Sequence, residues 1–203
     1  MFALSVASCA GAQPPLPKEV QAVIDRSHNA RGSYAVVLTT EVTTTDAHWT
    51  EKDAEFQQGA RHRIEVPALR TLNDCDTRKS TAYDVLHHRY LDENGSVKGV
   101  CGIDVDADRA LSGRMLEPVT GSYGRADRIE LTGEKFVRRY AVTADGVIVA
   151  NDYIPRNARV GFSLKTVGTV LKRGPQDPAM FTRESLQRAF ASDGLPTMHP
   201  NQP

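Results

Sequence analysis

The stretch Tyr34-Ala35-Val36-Val37-Leu38-Thr39-Thr40-Glu41-Val42-Thr43-Thr44 is rich in β-branched residues and holds no proline or glycine. It commits the chain to one long strand, and a long strand needs partners. Further runs of the same kind follow. Arg61 to Val66 alternates, and Ala82 to Leu91 reads as a second long strand that Asn94-Gly95 turns back into an antiparallel return arm from Val97 to Val105. Arg128 to Leu131, Phe136 to Val142 and Val147 to Ile154, separated by Thr132-Gly133 and Asp145-Gly146, predict a β-meander. Val160 to Leu171 adds one more apolar run. The segment from Asp46 to Gly59 fits a polar helix or an extended strand equally well, and Arg109 to Gly124, with Gly113, Pro118, Gly121 and Gly124, reads as a surface loop after a short helix.

Helices are expected at the two ends. Leu16, Val20, Val23 and Ile24 share one stripe behind Pro17, and Asp177-Pro178 opens a final helix through Phe181, Leu186, Ala189 and Phe190. With about seven or eight strands and no βαβ alternation, the fold class is α+β, an antiparallel curved sheet or incomplete β-barrel with N- and C-terminal helices. Residues 13–194 are read as a single β-rich domain and 195–203 as a frayed tail.

Met1 to Ala12 carries no charge and ends in Ala7-Ser8-Cys9-Ala10-Gly11-Ala12, which reads as the remnant of an export signal cleaved before Gln13. Val6-Ala7-Ser8-Cys9 also fits a lipobox, in which Cys9 would carry a lipid anchor. Both readings put the chain in the periplasm or outside the cell. Once Cys9 is set aside, Cys75 and Cys101 remain, 26 positions apart; a disulfide is the economical reading, with two buried free thiols as the alternative. No stretch approaches the roughly 20 apolar residues of a spanning helix. Lysine plus arginine and aspartate plus glutamate balance at 25 each, so no global field draws the chain to nucleic acid.

Motifs that carry chemistry are weak. Asp104-Val105-Asp106-Ala107-Asp108 alternates carboxylates as calcium loops do, but Arg109 and Met115 stand where an EF-hand needs glycine and a bidentate glutamate. His87-His88 beside Asp84 would point to opposite faces of a strand, and His48 and His62 complete no ligand spacing, so no metal and no cofactor are assigned. Gly121-Ser122-Tyr123-Gly124 and Gly161-Phe162-Ser163-Leu164-Lys165 match no nucleophile motif, and no catalytic residue is nominated. One charge feature stands out. From Tyr153 to Gln176 the chain holds Arg156, Arg159, Lys165, Lys172 and Arg173 and no acid, which with Arg138 and Arg139 would form a basic rim for phosphate headgroups or an acidic protein partner, or a solvated strand edge.

The order of helix, threonine-rich strand, Gln57-Gln58-Gly59-Ala60-Arg61-His62-Arg63-Ile64-Glu65, loop and Ala82-Tyr83-Asp84-Val85 resembles the periplasmic lipoprotein-carrier superfamily over Pro17 to Leu91. That family carries an Arg-x-Glu-like strand end followed by a tyrosine-aspartate strand; here Asn73-Asp74-Cys75-Asp76 replaces its usual Asp-Gly turn. The resemblance implies a half-open barrel with an apolar inner face able to hold an acyl chain or a lipidated partner. Val36, Leu38, Val85, Val147 and Val149 are nominated for that face, with a closed core as the plain alternative. Three functions compete: an envelope protein binding a lipid, lipoprotein or other apolar ligand without catalysis; a closed-core module contacting an acidic partner through basic strands; and a hydrolase or lyase using groups such as His87, Asp84 or Asp104.

Overall fold

The computed structural model describes residues 15–30, 32–91, 101–157 and 161–190. The export-signal segment with Cys9, the Asn94-Gly95 turn, Arg159 and the tail 195–203 lie outside the described residues.

Helix α1, Lys18–His28, begins behind Pro17 with Glu19 in its first turn and ends with Arg26 and His28, charges that suit the two ends of the helix dipole. Eleven strands follow among the described residues: β1 Ser33–Thr43, β2 His48–Gln58, β3 Arg61–Glu65, β4 Leu69–Asp74, β5 Lys79–Asp84, β6 Arg89–Tyr90, β7 Ala110–Gly121, β8 Gly124–Gly133, β9 Phe136–Thr143, β10 Ile148–Pro155 and β11 Ser163–Arg173. One helical turn, α2 at Asp104–Ala107, precedes β7. All strands join one antiparallel sheet in the order β6-β5-β4-β3-β2-β1-β11-β10-β9-β8-β7. The sheet is curved and open, as the alternation predicts.

The register fixes two faces. On the inner face, alternate residues of β1 from Tyr34 to Val42 are buried, and α1 lays Val20, Val23 and Ile24 against Ile129, Leu131, Tyr140 and Val142 of β8 and β9. At Gly113 of β7 the helix comes so close that a β-carbon would stand 3.0 Å from Val20 and 3.3 Å from Leu16, so that a larger residue there would push these side chains aside. On the outer face, Ala54 and Phe56 of β2 pack against Met180 and Phe181.

One open reading is resolved and four expectations are corrected. The segment left open between helix and strand is β2, paired along its whole length with β1. The strand expected over Ala82 to Leu91 breaks at Asp84, whose Oδ1 accepts from the backbone N–H of Leu86 and His87 at 3.1 and 3.0 Å, while His88 takes a left-handed φ of 52°. An aspartate that caps its own turn overrides the strand preference of Val85 and Leu86. Asp74 closes the preceding turn in the same way, accepting from Asp76 and Thr77 with Arg78 at φ 55°. The return arm does not reach Val105, because Asp104–Ala107 is helical.

The expected loop over 109–124 is β7, twelve residues long at the edge of the sheet. Its proline and glycines are tolerated there because an edge strand leaves one row of backbone groups unpaired, and the register shifts between Leu116 and Val119, around Pro118. The final helix is two short 3-10 helices, Pro178–Phe181 and Glu184–Gln187, since the segment is held by side chains of the sheet rather than by its own turns.

Candidate functional site

Cys75, in the turn after β4, is bonded to Cys101, where the described chain resumes ahead of α2. The disulfide reading of the sequence is therefore the structure's, and it pins the flap 101–109 across the inner face. Two further ties hold the flap. Ile103 N–H donates to Ser27 Oγ of α1 at 3.3 Å, and Tyr140 Oη of β9 donates to Asp106, which also pairs with Arg138 Nε at 3.0 Å. Burial and the Asp106 charge push the Tyr140 hydroxyl above its ordinary range, so it stays protonated and donates.

Between flap and sheet lies a cavity of about 560 Å3. Leu38, Ile64, Ile148 and Leu164 give it apolar walls, and Glu51, Asp53, Glu55, Arg109 and Arg138 bring charge into it. Beside the lining residue Arg138, Tyr153 lies under its guanidinium at 4.6 Å and against Phe162 at 5.9 Å, and exposed Trp49 continues the acidic face of β2. The volume suits a small amphipathic molecule.

Asp53 is the unusual group. It is 8% exposed, its Oδ2 accepts from Thr40 Oγ1 at 2.5 Å, and burial raises its pKa from 3.8 to about 6 against the lowering effect of Thr40. Because the folded pKa lies above the unfolded one, Asp53 favours the folded state fully below pH 4, and that contribution is lost as pH rises through 6. Asp53→Asn is expected to stabilise the protein at pH 7.5 by on the order of 2 kcal/mol and to flatten the stability profile between pH 4 and 6. Urea denaturation at several pH values checks this; equal slopes in variant and wild type would refute it.

The nominated lining residues divide. Leu38 lines the cavity; Val36, Val147 and Val149 sit buried in a cluster with Tyr34, Ala126 and Ala141; Val85 is half-buried in the turn after β5. Among the described residues the basic side chains do not share one face. Arg138 faces the cavity, Arg139 pairs with Glu130 at 2.8 Å on the other face, Arg156 donates to the Gly133 carbonyl, and Lys165 stands 3.7 Å from Glu41. His87 bonds Asp84 at 2.7 Å in the exposed turn, and neither lines the cavity. The cavity acids were overlooked in sequence, although Glu51-x-Asp53-x-Glu55 carries them at the spacing of one strand face.

No protein-family model matches the chain, and no curated protein matches it. Solved structures do match. An uncharacterized conserved protein from Thermus thermophilus aligns over 86% of this chain and 96% of its own at TM-score 0.50 and 14% identity. MucB in the MucA/MucB complex of Pseudomonas aeruginosa aligns over 81% of this chain at TM-score 0.53 and 11% identity. The chain shares its open, curved antiparallel fold with these structures. The alignment spans 60% of that MucB chain, so the likeness concerns architecture.

Proposed function

We propose that this protein is a periplasmic binding protein that holds an amphipathic ligand, such as a lipid or a lipidated partner, on the inner face of its sheet without acting on it chemically. The observation that carries the reading is the 560 Å3 cavity, closed on one side by a flap that a disulfide fixes in place. Location in the periplasm rests on that disulfide, which persists in an oxidising compartment, together with the export-signal reading of Met1 to Ala12. A protein partner is compatible with the site, since MucB of similar fold is found in complex with MucA. The acidic-partner reading is weaker, because Arg139 and Lys165 already face Glu130 and Glu41.

The neutral apolar probe N-phenyl-1-naphthylamine tests the site directly. Fluorescence should rise saturably with one probe per chain. Leu164→Arg should weaken binding by about tenfold at unchanged thermal stability, because Leu164 is a half-buried wall residue whose replacement puts a charge in the cavity. No saturable binding, or binding indifferent to Leu164→Arg, would remove the reading. Native mass spectrometry before and after organic extraction of the envelope-purified protein would identify the natural occupant.

A further inference from the structure

The charges of the cavity are unequally answered. Asp106 is neutralised by Arg138 and bonded by Tyr140, and Glu55 Oε2 pairs with His62 Nε2 at 3.2 Å. That leaves Glu51 and Asp53 of β2, which share the cavity lining with Arg109, exposed on the flap, but form no ion pair with it among the described residues. Glu51 is reached only by the Trp49 indole at 3.4 Å among the hydrogen bonds of the described residues.

Asp53 is more telling. Thr40 spends its hydroxyl proton on Asp53 Oδ2 and so accepts from Thr166 Oγ1 at 3.0 Å, a short relay that fixes the carboxylate in one orientation. Its other oxygen, Oδ1, is buried without a hydrogen-bond partner among the described residues while the side chain lines the cavity. A buried carboxylate oxygen is costly to leave unmatched, and what it lacks is a donor.

We propose that Asp53 anchors a primary ammonium group carried on an apolar ligand, with Oδ1 accepting one of its N–H bonds and the chain lying along Leu38, Ile148 and Leu164. This deepens the reading of the cavity as a ligand site and rests on it. A cation fits better than a hydroxyl or neutral amide, because Glu51 adds negative potential and charge-assisted bonds are the stronger kind in a site shielded from water. The raised pKa of Asp53 is consistent with this, since an ammonium would restore the ionised form that burial disfavours. The titratable and charged groups facing it are Glu51 and Glu55 of β2, His62 of β3, Arg138 and Tyr140 of β9, and Asp106 and Arg109 of the flap.

The test is displacement of bound N-phenyl-1-naphthylamine from the full chain at pH 7.5 by dodecylamine, dodecanol and dodecanoate, three ligands with one chain and three heads. Dodecylamine should bind about tenfold more tightly than dodecanol, and dodecanoate most weakly. Asp53→Asn should bring amine and alcohol within about twofold of each other and leave the alcohol unchanged, while Glu51→Gln, a milder variant at a less buried site, should narrow the gap by about threefold. Lowering the pH to 5 should weaken the amine, which stays protonated, and spare the alcohol. Lysophosphatidylethanolamine, run alongside, separates an aminophospholipid from an amine borne directly on the chain, and tighter binding of one names the source. Equal affinity for the three heads, or preference for dodecanoate, would overturn the ammonium anchor with the cavity reading intact. Failure of the probe itself to bind would overturn both.

Discussion

Arg63→Met is expected to destabilise the protein by about 3–5 kcal/mol, enough to leave much of it unfolded. The Arg63 and Glu65 side chains are both 0% exposed and meet at 2.6 Å. The guanidinium makes five hydrogen bonds: to Glu65 Oε1, the Met180 carbonyl, Ser185 Oγ, and the carbonyls of Ser185 and Arg188. Glu65 in turn accepts from Phe190 N–H through both oxygens at 3.0 Å, and the guanidinium groups of Arg63 and Arg188 stand over the Phe190 ring at 4.9 and 4.5 Å from its centroid. Removing the cation alone takes the counter-charge from a buried carboxylate and the shared donor from several carbonyls. Lysine should not rescue, because a single ammonium cannot span acceptors that a planar fork reaches together. Arg63→Met with Glu65→Leu should recover part of the loss, and the C-terminal segment 178–190 should become the first site of tryptic cleavage in either variant. A loss under about 1 kcal/mol in urea denaturation would show that the clasp is incidental.

The second large effect concerns the disulfide. Cys75→Ser with Cys101→Ser should cost about 3–4 kcal/mol, because the bond closes 26 residues of chain that the unfolded state would otherwise leave free. The same variant should bind N-phenyl-1-naphthylamine more weakly, since the flap would be held only through Ile103 and Asp106. Stability and binding falling together support a flap that shapes the cavity. An unchanged affinity beside a lowered stability would confine the bond to a folding role.

Where side-chain alternation was strong, the sequence declared its structure. The β1 run and the three strands of the meander are where their patterns put them, and the two cysteines left after Cys9 pair as their number suggested. Local patterns failed where a single side chain or the position in the sheet decides. Asp84 turns a run of strand-forming residues by accepting two backbone N–H groups, and Pro118 with Gly113 and Gly121 sits in a strand because that strand is at an edge. The 178–190 segment has helical spacing, but its backbone carbonyls are claimed by Arg63, more than a hundred positions away in sequence. The cavity was hidden for a related reason. β2 shows acids on its inner face and Ala54 and Phe56 on its outer one, so the amphipathic pattern is inverted relative to the neighbouring β1.

The edge strand β7 has one more consequence. Many proteins with an open sheet recruit partners by adding a strand to it, main chain to main chain, with little regard for sequence. Pro118 removes a donor from this border, the register shift beside it bends the line of carbonyls, and Arg114 and Glu117 place charges along it. These features disfavour strand addition on that side and so blunt an edge that would otherwise invite self-templated aggregation.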